Sequence, residues 1–316
     1  MGRIFTLGES LLDIIHKDGR EVHAIPGGSV LNTSITLGRL GSQVHLISEF
    51  GLDDDGEKID TFLRKNGVDT SYVYRHSQGK TTRALAFLNQ HNEASYRFEK
   101  YAPPHRLKIQ LPDFNPDDIL LFGSWFAIDP DLRSMVLKLT NLAQKRGAFV
   151  MYDPNFRNAH RKELPGLRDA IMENISLADL VRGSHEDFMN IFGIDDPHEV
   201  FEFLKEHLQC LIYTASHHGV DIFDHHHQKH YSVPDIRPVS TIGAGDNFNA
   251  GVLFGINRKA LARKPFGNIN ETDWDHIMTT AIACSTKVCM TTENYVPEPF
   301  ARHLRSQYYP GGFESK

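Results

Sequence analysis

The chain is 316 residues long and carries 34 Lys plus Arg against 40 Asp plus Glu, a formal net charge of −6. Such a length buries a sizeable core without disulfide or metal staples, and 40% hydrophobic with 23% charged residues excludes a disordered chain. The acidic balance leaves no overall field to draw in nucleic acid, and no apolar stretch approaches the roughly 20 residues of a membrane-spanning helix.

In chain order, residues 1–8 open with a short apolar run that meets Glu9 and Asp13 before a signal-peptide core can form, and they read as a first strand. Residues 11–25 read as a hairpin turning at Lys17-Asp18-Gly19. Pro26-Gly27-Gly28-Ser29-Val30-Leu31-Asn32 then leads into a helix that ends at Gly41, before a strand at 44–47. Residues 72–99 hold alternating strands around Asn89-Gln90-His91-Asn92 with no helix between them. From 119 onward the rhythm changes: strand 119–122 stops at Gly123, and Leu132, Met135, Val136, Leu139 and Leu142 repeat at helical spacing until Gly147. Residues 148–152 form the next strand and deliver Asp153 at its carboxyl end; 180–181 and 211–213 are further core strands, and Phe201, Leu204 and Leu208 are helix core. Strands alternating with helices predict an α/β fold with a mostly parallel sheet, in which ligands sit outside the carboxyl ends of the strands. Residues 1–316 are expected to form one domain, with segments 11–25 and 72–99 pairing into a small β-sheet lid. Cys210, Cys284 and Cys289, an odd number without CxxC spacing, fit a reducing, cytoplasmic setting and no disulfide framework.

Three segments carry candidate chemistry. Ser240-Thr241-Ile242-Gly243-Ala244-Gly245-Asp246 precedes an apolar helical run, so the backbone N–H groups of Gly243, Ala244 and Gly245 can crowd around an anion at a helix amino end. Asp246, in the first helical turn, is expected to be ionised with the help of the helix dipole and to accept a proton from a hydroxyl beside a bound phosphate. On its own the same segment is equally a glycine-rich turn with a capping Asp. Gly27 and Gly28 let a ligand approach the backbone, and Asn32 both donates to and accepts from hydroxyls, as polyol recognition requires; a plain turn before a helix is the alternative. Gly8-Glu9-Ser10-Leu11-Leu12-Asp13 places a carboxylate just past the first strand, where Asp13 on its own reads as a solvated turn residue.

Together the GExLxD start, the GGxxxN turn, Asp153-Pro154-Asn155-Phe156-Arg157 and the TxGAGDxFxAG segment resemble the PfkB/ribokinase family of carbohydrate kinases, in the right order from Gly8 to about Pro297. GESLLDII and PGGSVLNTSITLGRLG are most similar to fructokinase-like members. The resemblance implies a ribokinase-like three-layer α/β/α core with a β-sheet lid, and transfer of the γ-phosphate of ATP, with Mg²⁺ on its phosphates, to a primary hydroxyl of a sugar. Carried over by motif, Asp246 is the catalytic base, Gly243, Ala244 and Gly245 form the anion hole, and Asp13, Gly27, Gly28, Asn32 and Arg157 contact the sugar. Thr214 and Gly219 match the nucleotide-binding TxGxxG turn, and Ser184 and Asp187 stand where the family has NxxE, so that any metal role passes to Asp187.

The chain departs from the family pattern at Ser216, where the turn usually has glycine, and at Ser240 and Ile242, which replace an Asp and a Thr beside a monovalent-cation site. Ile242 is expected to fill the vacated space and hold the turn by packing. Two other acceptors, 2-keto-3-deoxygluconate and ribose, stay open, as does a sugar-binding regulatory protein without catalysis; an exposed lid face can also pair two copies into a homodimer. Gly79-Lys80-Thr81 is not a Walker A loop, because Tyr74 stands where its first glycine belongs. The histidine-rich run from Asp224 to His230 reads as a solvated hairpin tip rather than a metal site.

Overall fold

The computed structural model describes residues 1–17, 20–88, 94–224, 227–263 and 269–308. Its first half runs β1 (Ile4–Leu7), β2 (Leu11–Lys17), β3 (Arg20–Gly27), α1 (Ser29–Arg39), β4 (Val44–Gly51), α2 (Asp54–Lys65), β5 (Val68–Asp69), β6 (Val73–His76), β7 (Arg83–Leu88), β8 (Ala94–Glu99) and β9 (Ile119–Gly123). Helix α3 (Arg133–Lys145), β10 (Phe149–Asp153), α4 (Leu164–Leu177), β11 (Leu180–Ser184), α5 (His185–Phe192) and α6 (Pro197–Leu204) follow. The chain closes with β12 (Cys210–Thr214), β13 (Val220–Asp224), β14 (Gln228–Tyr231), α7 (Ala244–Arg258), α8 (Glu271–Cys289) and α9 (Glu298–Tyr308).

The main sheet has the order β14-β13-β12-β11-β10-β9-β1-β4-β5, parallel from β12 to β5, with β13 and β14 antiparallel at one edge. Its central strands β1, β9 and β10 are buried on both faces because helices cover both. On β9, Ile119 and Leu121 join the core under α1, α2, α7, α8 and α9, while Leu120 and Phe122 join the one under α3 to α6. The expected three-layer α/β/α architecture is therefore present. From β1 the chain builds the sheet outward to one side through β4 and later to the other through β9, so the strand order reverses at β1. The crevice outside the carboxyl ends of β1 and β9 is where such sheets bind ligands.

A second sheet, in the order β3-β2-β7-β8, stands at those strand ends. Leu12, Ile14 and Leu85 on its inner face belong to the α1/α2 core. Asp13, Ile25, Ala84 and Phe98 are cross-strand neighbours on the opposite face. The expected lid segment 72–99 needs correcting at its start: Val73 to His76 pair in parallel with Ser48 to Gly51 of β4 and belong to the main sheet. An apolar-polar strand pattern does not reveal which sheet a strand joins, and the part of this segment that belongs to the second sheet begins at Arg83. The expected turn residues Asp18 and Gly19, and the run 89–92, lie outside the described residues.

Candidate active site

The amino ends of α1 and α7 meet at the crevice. Asp246, third residue of α7, is 7% exposed and is held at both carboxylate oxygens by α1: Ser29 Oγ donates to Oδ1 at 2.6 Å and Asn32 Nδ2 to Oδ2 at 2.9 Å. Thr33 Oγ1 donates to the Asp246 carbonyl at 2.9 Å. Behind it, Asn247 Oδ1 accepts from Thr36 Oγ1 and from the Val296 N–H, a buried polar weld between the two helices. Such a weld fixes the carboxylate as rigidly as the helix backbones themselves. Asn32 Oδ1 is buried and has no partner among the described residues, leaving an acceptor for a ligand hydroxyl.

Gly28 adopts φ 117°, and a Cβ there would lie 2.5 Å from the Glu9 carbonyl, so the turn that brings α1 to β1 admits only glycine. A Cβ on Gly27 would meet Asp13 Oδ2 at 1.9 Å, which puts Asp13 directly against that turn. Glu9, Asp13 and Asp246 thus form an acidic group. Burial, then the charges of Glu9 and Asp246, push the Asp13 carboxyl up to about 7. Burial pushes Asp246 up as well, against the hydrogen bonds from Ser29 and Asn32 and the charge of Arg157. Removal from water thus works against the ionised form that a helix amino end favours, and the two α1 donors with Arg157 supply the opposing pull. Glu9 is likewise raised by burial and drawn down by Lys100 and Arg157, so exposed Arg157 lies within electrostatic reach of both carboxylates.

In the glycine-rich turn, Gly243 caps α7 at φ 80°. The Ala244 N–H already donates to the Thr241 carbonyl at 3.2 Å, a long bond that an anion has to displace. Ile242 does not pack as expected: it is 55% exposed, and its N–H donates to Ser240 Oγ at 3.2 Å.

A second group gathers at the ends of β10, β11 and β12. Asp153 Oδ2 accepts from Arg182 Nη1 at 3.0 Å and Asn249 Nδ2 at 2.5 Å, and Thr214 Oγ1 accepts from Arg182 Nη2 at 2.6 Å. Ser184 and Asp187 form a capping box on α5, and Asp187 Oδ1 also accepts from the Phe156 N–H at 2.6 Å. Asp187 therefore fastens the turn after β10 to α5. In the turn after β12, Ser216 sits at φ 52° and Gly219 at φ 106°. A left-handed Ser carries backbone strain that a glycine would not.

A cavity of about 110 Å³ opens beside these groups under the root of the lid, lined by Glu9, Ser10, His76, Lys80, Lys100 and Trp125, among others. The sugar-contacting candidates do not line it; Asp13, Gly27, Gly28 and Asn32 gather around Asp246 instead. Sequence reasoning missed Ser29 and Arg182. Ser29 is masked by its glycine neighbours, whereas Arg182 left a signal, a lone cation in the apolar strand run Leu180-Val181-Arg182-Gly183.

Residues 1–296 match the family described as pfkB family carbohydrate kinase. The chain is 27% identical over 264 residues to the fructokinase of Klebsiella pneumoniae, covering 81% of this chain and 84% of that protein. Among solved structures, a double mutant of the Vibrio cholerae fructokinase, bound to fructose, ADP and potassium ion, superposes with a TM-score of 0.80 at 20% identity, covering 93% of this chain and 94% of that one. The aminoimidazole riboside kinase of Salmonella enterica, bound to aminoimidazole riboside and an ATP analogue, gives 0.80 at 21% identity, covering 97% of this chain and 100% of that one. Among the described residues no helix is long and apolar enough to cross a membrane, and no group of three or more His, Cys, Asp or Glu side chains is placed to hold a metal ion.

Proposed function

Since the chain belongs to the pfkB family of carbohydrate kinases, we propose that it is a fructokinase-like, ATP-dependent sugar kinase that moves the γ-phosphoryl group of ATP to a primary hydroxyl of a monosaccharide. The observation that carries this reading is the Asp246 carboxylate, held at both oxygens by Ser29 and Asn32 at the amino end of α7. As the acceptor oxygen attacks the γ-phosphorus and ADP leaves, its proton passes to Asp246. The amides of the Gly243-Ala244-Gly245 turn and the dipole of α7 meet the charge on the transferring group. Mg²⁺ would enter as part of the nucleotide substrate and would offset the charge of its phosphates. Asp13, Gly27, Gly28, Asn32 and Arg157 hold the sugar, and the turn from Thr214 to Gly219 holds the nucleotide together with Ser184 at the end of β11 and Asp187 in the first turn of α5.

Phe98, 54% exposed on the lid face shared with Asp13, covers the sugar as the lid closes and water is excluded. Edge strand β3 carries Val22, 57% exposed, and offers a second copy a surface for a lid-mediated homodimer. The three free cysteines support a cytoplasmic protein.

A sugar acid is the second reading. Lys80 and Lys100 line the cavity beside Glu9 and have no ion-pair partner among the described residues, an arrangement suited to a carboxylate. ADP formation across ketoses, aldoses, keto-deoxy acids and nucleosides tests both readings. Highest kcat/KM on fructose supports the first and on 2-keto-3-deoxygluconate the second; no ADP formation with any of them refutes both.

A further inference from the structure

Arg182 is 7% exposed, on the face of the sheet that packs against α7. Its guanidinium donates to Asp153 and Thr214, and its centre lies 5.7 Å from the Phe248 ring centroid. The space it occupies is the underside of the first turn of α7. A Cβ on Gly245 would lie 2.8 Å from Nη1 and 3.1 Å from Nη2, and the three nearest atoms to it all belong to this guanidinium. A side chain at the second glycine of the turn would therefore have to displace the guanidinium beneath it.

For stability alone this placement is the wrong way round. A helix amino end carries partial positive charge, so a cation against it is repelled, and burying a guanidinium adds a desolvation cost that one carboxylate offsets only in part. An aliphatic side chain would avoid both costs only if Asp153, its buried partner at 4% exposure, were made neutral as well. The arrangement becomes favourable when an anion occupies the turn.

We propose that Arg182 is a positioning residue for phosphoryl transfer: from beneath Gly245 it deepens the positive potential of the anion-binding turn, and through Thr214 and Asp153 it ties that turn to the ends of β12 and β10. The assignment rests on reading residues 243–245 as the phosphoryl site. It extends that reading from the backbone amides to a charge that none of the motifs contains.

Two conservative variants separate charge from packing. Arg182→Gln keeps a hydrogen-bonding arm and loses the charge, and Arg182→Lys keeps the charge. Steady-state kinetics with Mg·ATP and the best sugar acceptor should show Arg182→Gln down about 10- to 100-fold in kcat with the sugar KM within about threefold, and Arg182→Lys within about tenfold of wild type. If Arg182 served only to neutralise Asp153, the charge-neutral double variant Arg182→Gln/Asp153→Asn would recover activity. It should instead stay at least about tenfold below wild type. An Arg182→Gln enzyme within about twofold of wild type, or a double variant restored to that level, overturns the proposal. Wild-type protein that makes no ADP with any sugar overturns the kinase reading itself, a separate outcome of the same assay.

Discussion

Asn32 on α1 donates from Nδ2 to Asp246 Oδ2 on α7 at 2.9 Å, joining the polyol-recognition candidate to the base candidate across 214 residues of sequence. The amide does two things at once: it aims the carboxylate, and it favours the ionised form against the burial that pushes Asp246 up.

Replacing Asn32 with Leu removes that donor while roughly keeping the volume. With burial then less opposed, the Asp246 carboxyl rises further, and the acid limb of kcat/KM should move to higher pH, on top of a uniform loss from the missing sugar contact. A pH-rate profile from 5 to 9 checks this; an acid limb that stays in place shows that Asn32 does not tune the base.

Asp13 makes a stability prediction whose sign follows from its direction of shift. In the folded protein it titrates near about 7, above its ordinary 3.8, so between those values the folded state binds the proton more tightly than the unfolded state. The stabilisation is present at low pH and is lost as pH rises through about 7. Asp13→Asn never acquires the buried charge, so its melting temperature relative to wild type should rise between pH 5 and pH 8, a gain of on the order of 1–2 kcal/mol. Parallel melting curves at the two pH values decide it, and a constant difference contradicts the assignment.

How far the sequence alone reaches is uneven. The segment ending in Gly245-Asp246 stood out because three small residues stand next to one another before an apolar helical run, and the core strands because parallel strands covered on both faces are apolar runs. The partition of strands between sheets was not, since Val73 to His76 carry no mark that they pair with β4 rather than with the lid. The Asn247, Thr36 and Val296 weld was also hidden, because its members are ordinary polar letters until two distant helices cross. Ser216 shows the converse: the departure was visible as a letter, and only its φ of 52° reveals that the serine keeps the backbone shape a glycine would have taken.

Ser240 and Ile242 predict independence from monovalent cations. In the family resemblance those positions supply a carboxylate and a hydroxyl to a cation site; here they supply a hydroxyl that accepts from the Ile242 N–H and a hydrocarbon facing solvent. A hard cation is held by oxygen, and a lost formal charge weakens it most. At fixed ionic strength and Mg²⁺, kcat/KM in tetramethylammonium should match that in K⁺ within about twofold. Tenfold activation by K⁺ would mean that backbone carbonyls suffice.

The most direct test of the whole account is the turnover of Asp246→Asn beside wild type, measured as ADP formation with saturating fructose and Mg·ATP. The substitution keeps the volume and removes the charge and the ability to take a proton; one of the two oxygens that accept from Ser29 and Asn32 becomes an NH2, which the Ser29 hydroxyl or the Asn32 amide can meet by turning. The account predicts an unchanged fold, nucleotide affinity within about threefold, and a kcat lower by about 10²–10⁴. A variant that turns over within about twofold of wild type would contradict it, because the carboxylate at the amino end of α7 would then not be the base.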